Sequence, residues 1–307
     1  MEWGIEVILK LRQILPGLDT PFEIFTFMGN EMFFLLLLPL VYWCLSRPVG
    51  VRLTILFLAS VYLNMAAKSL LNQPRPFEFA PDRIIPLLRY PVDQARAIYG
   101  ASGSGFPSGH TQNAVIVWGY LASQFKRKWL WVTAGLMMLL IPLSRVYLAM
   151  HFPHDILGGY ALGAILLFLY LGITPGIEKR LTAFPFSRRL AAAIILPMIM
   201  IILFPHKTGV TAGATLMGMA AGFVLERHQV GFDSEGEWWR RVLRYLLGII
   251  VLLGLYVGLK AVFAGLEPKL LFRFIRYAVI GFWGGVGGPW VFVKLRLAKT
   301  TRQPLLQ

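Results

Sequence analysis

Apolar runs of helical length recur from Met32 to Val293, and this pattern constrains the chain more than anything else in it. A hydrocarbon core about 30 Å thick takes about 20 helical residues, and inside it every backbone polar group has to be satisfied by the segment itself. Nine crossings fit, near residues 22–45, 51–72, 108–125, 129–148, 155–173, 189–205, 210–226, 243–264 and 272–293. The expected fold is an all-α polytopic membrane protein with about nine transmembrane helices. Charged residues make up only 15% of the chain and AVILMFWYC residues 57%, which leaves no solvated shell for an ordinary soluble enzyme. Residues 1–15 carry Trp3, Ile5, Val7, Ile8, Leu11 and Leu15 ahead of Pro16-Gly17. They are too short to span and read as an interfacial helix, while Glu2 and the lack of a compact apolar stretch argue against a signal peptide. One cysteine, Cys44, excludes a disulfide framework and a thiolate metal site.

The formal charge of +15 invites a nucleic-acid reading. In a membrane chain basic loops instead set orientation and touch anionic headgroups, so the partners expected are membrane lipids and not nucleic acid. One set of loops and the C-terminal tail hold seventeen of the 30 Lys and Arg residues, from Arg47 and Arg52 through Lys126-Arg127-Lys128 to Arg302. That face is cytoplasmic by the positive-inside rule. The N-terminus is then outside and the C-terminus inside, which agrees with an odd number of crossings. The long loop 73–107 and the short loop 146–154 share the extracytoplasmic face.

Three segments on that face carry the chemistry. Lys68 to Arg75-Pro76 closes the second crossing, Pro107-Ser108-Gly109-His110 opens the third, and Ser144-Arg145 to His151 and Asp155 joins the fourth to the fifth. Ionisable residues at membrane depth are costly and read by default as a site. Three cations, two histidines, one carboxylate and a small-residue turn suit phosphoryl transfer without metal or other cofactor. Fixed cations match the charge of a phosphate monoester, and an Arg fork matches its paired oxygens. Ser108-Gly109 precedes a helix, whose free N–H groups and dipole favour an anion. A histidine can be the nucleophile if a second group holds its other nitrogen protonated, and Asp155 lies four residues after His151. His110 can protonate the leaving oxygen and later activate water.

This trio resembles the type-2 phosphatidic acid phosphatase (PAP2) superfamily, whose pattern is K-x6-R-P, then P-S-G-H, then S-R-x5-H-x3-D. Every position is met, in order and spacing, over about residues 60–170. The resemblance implies that His151 forms a phosphohistidine, that Asp155 orients it, and that His110 is the general acid and base. It also implies that Lys68, Arg75, Ser108, Gly109 and Arg145 hold the phosphate, with no metal in the site. The nine crossings and outside N-terminus are similar to the glucose-6-phosphatase branch. The stretch from Phe272 to Phe282, followed by Pro289, is similar to the sphingosine-1-phosphate phosphatase branch. Asp155 tilts the reading toward a lipid substrate.

The chain divides on this reading into an interfacial segment (1–20), a phosphatase core (21–175) and four additional helices (176–307). His154 reads as a turn-exposed histidine, His206 and His228 as solvated, and Glu31 as a structural polar contact. The glycines at 281, 284, 285, 287 and 288 read as helix-packing positions. The function expected is hydrolysis of a lipid phosphate or diphosphate on the extracytoplasmic side. A lipid-to-lipid phosphotransferase and a phosphatase of a soluble sugar phosphate are the alternatives, and a transporter or scaffold is disfavoured by the complete set His110, His151 and Asp155. The absence of an Asn-x-Ser/Thr sequon and the short loops lean toward a prokaryotic inner membrane, and nothing specifies an oligomeric state.

Overall fold

The computed structural model describes residues 1–101 and 103–301. Among the described residues there is no β-strand, only one isolated bridge between Phe232 and Thr300. The first helices are α1 (Glu2–Ile14), α2 (Asp19–Phe27), α3 (Glu31–Leu40), α4 (Arg47–Leu71), α5 (Pro76–Phe79), α6 (Pro81–Ile84) and α7 (Val92–Ile98). There follow α8 (Gly109–Phe125), α9 (Lys128–Tyr147), α10 (Pro153–Ala183), α11 (Phe186–Leu203), α12 (Lys207–Leu225), α13 (Trp238–Val262), α14 (Lys269–Phe282) and α15 (Gly288–Lys294).

Seven stretches among the described residues are long and apolar enough to cross a membrane: Arg47–Phe79, Lys128–Tyr147, Pro153–Ala183, Phe186–Leu203, Lys207–Val230, Trp238–Val262 and Lys269–Lys294. The pair α2 and α3, bent by 51°, makes eight if it is one broken span. The expected nine are reached only by adding α8, whose 17 residues extend about 25 Å and fall short of a typical core. That helix starts late because Pro107 and Ser108 are spent on a cap and a turn. Side chains that point outward bear out the membrane assignment: Phe168 is 79% exposed and Leu196, Ile202 and Ile250 are similarly bare. Apolar surface on that scale is unfavourable in water and matched to lipid. The chain is a multi-pass integral membrane protein.

The chain forms two compact units, Met1–Leu35 with Leu63–Gly172, and Leu36–Tyr62 with the chain from Ile173 onward. In the first, α1 buries Ile5 and Ile8 in a core with Phe22, Phe77, Tyr99, Tyr147 and Phe152. Gly4 permits that approach, since a Cβ there would stand 2.8 Å from the Phe152 ring. Arg12 braces the same core through Asp19 at 3.1 Å and the Tyr147 ring at 4.7 Å. Within α10, Gly159 and Gly163 sit one turn apart against α8. A Cβ on Gly159 would be 2.6 Å from the Ser108 carbonyl oxygen, and one on Gly163 3.0 Å from that of Gln112. Small residues at this spacing let helix backbones touch.

The second unit uses the same device. A Cβ on Gly222 of α12 would meet Gly285 Cα at 3.0 Å, and one on Gly285 would meet the Met219 oxygen at 2.8 Å. Gly281 likewise abuts Thr215 and Met219, so these glycines are packing positions. The polar residues of this unit are joined to one another. Fully buried Glu226 accepts from Arg47 Nε at 2.8 Å, Arg47 Nη2 at 2.6 Å and the Phe232 N–H at 2.7 Å. Tyr42 donates to the Gly285 carbonyl at 2.9 Å and Trp43 to that of Gly284 at 3.1 Å. Arg52 forms a two-pronged pair with Glu178 at 2.6 and 2.7 Å.

The Gly159 contact gives a direct test of helix apposition. Gly159→Leu should lower the thermal midpoint of the detergent-solubilised protein, at a cost of about 1–3 kcal/mol for overpacking. Gly172→Leu, on the same helix with open space around it, should leave the midpoint unchanged.

Candidate active site

All three motifs fall in the first unit. Ser108 is the N-cap of α8, and its hydroxyl oxygen accepts from Thr111 N–H at 3.4 Å and from the Thr111 hydroxyl at 3.0 Å. The first N–H groups of a helix have no partner inside it, and a small cap leaves them open to an anion. Gly109 admits the side chain of Asn64, whose oxygen would lie 2.9 Å from a Cβ there. Asn64 in turn donates to Gln112 Oε1 at 2.8 Å and to the Pro107 carbonyl at 3.3 Å, fixing the turn that presents the motif. The Ser108 N–H donates to the Asp155 carbonyl at 2.9 Å, which ties the second motif to the third.

The three cations are held mainly by backbone oxygen. Lys68 donates to the carbonyls of Ser104 and, at 3.1 Å, Gly105. Arg75, 1% exposed, donates to Gly103 O at 3.0 Å, Met150 O at 2.8 Å and Ser104 O at 3.3 Å. Its own N–H donates to Glu78 Oε2 at 2.9 Å, and Glu78 pairs with Arg96 at 3.2 Å. Arg145 is fully buried, and one nitrogen, Nη1, makes its contacts, with Thr26 Oγ1 at 2.5 Å and Tyr99 O at 2.6 Å. Nε and Nη2 have no partner among the described residues. Those two nitrogens form one edge of the guanidinium fork, the edge that takes two oxygens of a carboxylate or phosphate. A buried cation with an empty donor edge is expensive unless an anion completes it.

The histidine set between α9 and α10 is ordered by its neighbours. The chain turns sharply there, with Ala149 in the left-handed region at φ +57° and the N–H groups of Met150 and His151 donating back to Arg145 O. His151 Nδ1 lies 3.2 Å from Asp155 Oδ2, which also accepts the Phe152 N–H at 2.9 Å. Asp155 is thereby half of a capping box on α10 as well as the partner of the ring. His151 Nε2 faces Arg75 Nη1 at 3.4 Å. Arginine only donates and an ionised carboxylate only accepts, so the ring carries its proton on Nδ1 and a lone pair on Nε2. Burial, reinforced by the charge of Arg75, pushes the His151 pKa well below the usual histidine value, which favours the neutral ring. Lys68, Arg75 and Arg145 all act electrostatically on both His151 and His110, which places the two rings in one charged environment.

Every residue expected from the motifs thus lies in this unit. His154 does more than face solvent: it is 3.2 Å from Asp155 Oδ1 and stacks on Phe152 with centroids 5.2 Å apart. His206 and His228 are exposed in the second unit, and Glu31 is exposed beside the site. The neighbouring Asn30 and Thr26 reach it instead, through His110 at 2.9 Å and Arg145 at 2.5 Å. Among the described residues no group of three or more His, Cys, Asp or Glu is gathered to hold a metal ion.

Residues 49–178 match the family model described as the PAP2 superfamily, and residues 210–300 match the PAP2 superfamily phosphatase transmembrane extension. The chain belongs to the PAP2 superfamily. Its relatives include lipid phosphate phosphatase delta of Arabidopsis thaliana, 29% identical over 59% of this chain and 44% of that protein. Glucose-6-phosphatase 3 of Mus musculus is 29% identical over 58% of this chain and 55% of its own length. Sphingosine-1-phosphate phosphatase 1 of Mus musculus is 22% identical over 84% of this chain and 67% of its own. The chain spans about half the length of the first two. No solved structure matches it.

The empty edge of Arg145 predicts its own mutational signature. Arg145→Lys keeps the charge and loses the fork, so orthovanadate should bind about 10–100-fold more weakly by calorimetry. Equal affinity in wild type and variant would mean that the edge does not take the oxyanion.

Proposed function

We propose that this PAP2 chain is a metal-independent phosphatase that hydrolyses a lipid phosphate or diphosphate through a phosphohistidine. The observation that carries the reading is that one unit holds both His151, its Nε2 lone pair toward Arg75, and a buried Arg145 whose Nε–Nη2 edge has no partner among the described residues. His151 Nε2 attacks phosphorus, and Asp155 stabilises the positive charge that develops on the ring. Lys68, Arg75, Arg145 and the start of α8 at Ser108 and Gly109 neutralise the phosphoryl oxygens. His110 gives its proton to the leaving oxygen and then takes one from the water that hydrolyses the phosphohistidine. Cations supplied by side chains do the work that a metal does elsewhere, so chelators should leave turnover unchanged.

Residues 21–175 are read as the catalytic core, with 176–307 as additional helices and 1–20 as an interfacial segment. Adding α8 to the spans gives nine crossings, with the N-terminus and site outside and the C-terminus in the cytoplasm, in a prokaryotic inner membrane. A lipid substrate fits the likeness to lipid phosphate phosphatase delta and to sphingosine-1-phosphate phosphatase 1. The likeness to glucose-6-phosphatase 3 favours a second reading, a soluble sugar phosphate.

Phosphate release from a panel of lipid and sugar phosphates, with and without EDTA, tests the reading. Phosphate should appear from a lipid member without added metal; a label that moves to a second lipid would make the protein a transferase. His151→Ala should abolish both turnover and acid-trapped phosphoenzyme. His110→Ala should slow turnover by about 10²–10⁴-fold while still binding phosphate. Asp155→Asn should cut the rate severely, since it disturbs the ring's tautomer. Phosphoenzyme persisting in His151→Ala would reverse the assignment. Cysteines placed in 80–100 should label from outside, and labelling of 126–128 from outside would invert the topology.

A further inference from the structure

His110 faces a neighbour that none of the three motifs contains. Asn30, in the bend between α2 and α3, places Oδ1 2.9 Å from His110 Nε2, while its Nδ2 donates to the Ile98 carbonyl at 3.0 Å. The Ile98 oxygen can only accept, so the amide has one allowed orientation, with its nitrogen toward Ile98 and its oxygen toward the imidazole. Oδ1 in turn can only accept. His110 Nε2 is therefore the nitrogen that carries a proton. This is the reverse of His151, whose Nε2 faces a donor and holds a lone pair.

The bend is built around this contact. Gly29 lies against the His110 ring, where a Cβ would collide with Cδ2 and stand 2.9 Å from Cγ. Gly100, at φ +61°, lies against the amide, and a Cβ there would be 2.6 Å from Asn30 Oδ1 and 3.4 Å from His110 Cε1. Both sides of the Asn30–His110 pair are thus closed by glycine backbone, and the ring is 7% exposed.

We propose that Asn30 is a positioning residue that presents His110 as a proton donor through Nε2 to the departing oxygen. The proposal rests on the phosphatase reading above. As His151 Nε2 forms its bond to phosphorus, the bond from phosphorus to the leaving oxygen breaks. The Nε2 proton of His110 passes to that oxygen, which takes the place of Asn30 Oδ1 as its acceptor; until then Asn30 Oδ1 holds the proton on that nitrogen. Water hydrolysing the phosphohistidine later returns a proton to the same nitrogen.

The test uses Asn30→Leu, which has a similar volume and no acceptor, and Asn30→Asp, which restores the acceptor toward Nε2. Turnover of an alkyl phosphate should fall about 10–100-fold in Asn30→Leu, a fraction of the effect of removing a general acid. Release of p-nitrophenolate in the first turnover of p-nitrophenyl phosphate, whose leaving group needs no proton, should change less than about threefold by the same principle. Asn30→Asp should recover much of the alkyl rate. Equal losses on both substrates, or Asn30→Asp as poor as Asn30→Leu, would overturn the proposal. A readout independent of turnover is ¹⁵N NMR of labelled histidine in the wild-type protein in detergent. His110 should show a protonated Nε2 that is lost or exchanges faster in Asn30→Leu, and an unprotonated Nε2 in wild type would sink the proposal. Failure of the phosphatase reading looks different: no phosphate would be released from either ester, while the NMR signature of Asn30 would remain.

Discussion

Three cations, Arg75 and Arg145 buried and Lys68 half-buried, with few carboxylates beside them set the terms for the first unit. Lys68, Arg75 and Arg145 share an environment in which Asp155 is the one fully buried acid, and burying uncompensated charge is costly. Backbone oxygens from Tyr99, Gly103, Ser104, Gly105 and Met150 offset part of that cost. The carbonyls of Tyr99, Gly103, Ser104 and Gly105 are thereby committed to the cations. What the carbonyls leave unmet is the Nε–Nη2 edge of Arg145, the edge that the proposed function gives to an oxyanion.

The same electrostatic setting divides the labour of the histidines. His151 stands between a donor-only arginine and an acceptor-only aspartate, so its proton is forced onto Nδ1. His110 meets an acceptor at Nε2. Two chemically identical rings under the same cations are thus assigned different protons by their immediate hydrogen-bond partners. In the second unit Glu226 is met by Arg47 and a backbone N–H, while buried Arg244, like the cations of the first unit, is held by backbone carbonyls.

The membrane class and the motif residues were legible in the sequence because each has a local signal: an apolar run, a spacing, a Pro-Ser-Gly-His turn. Asp155 announced itself by lying one turn after His151. Asn30 did not, because it precedes His110 by 80 positions and its partner is the Ile98 carbonyl, a group every residue possesses. The carbonyl cradle around Lys68 and Arg75 was hidden for the same reason. The count of crossings was the least legible feature. A 51° break separates α2 from α3, and capping shortens α8 to 17 residues, so hydrophobic length and actual helix length part company there.

Gly159 has a consequence for tolerances. It brings the helix that bears Asp155 into contact with the Ser108 carbonyl at the head of α8, so Asp155 and the Pro-Ser-Gly-His turn are spaced by bare main chain. Reacting atoms in a near-attack arrangement stand about 3–3.5 Å apart, and a displacement of about 1 Å can cost two orders of magnitude in rate. Main-chain thickness is the same in every molecule and has no rotamers. On the phosphatase reading, the gauge for the reacting distance is therefore a part that thermal motion of side chains cannot change.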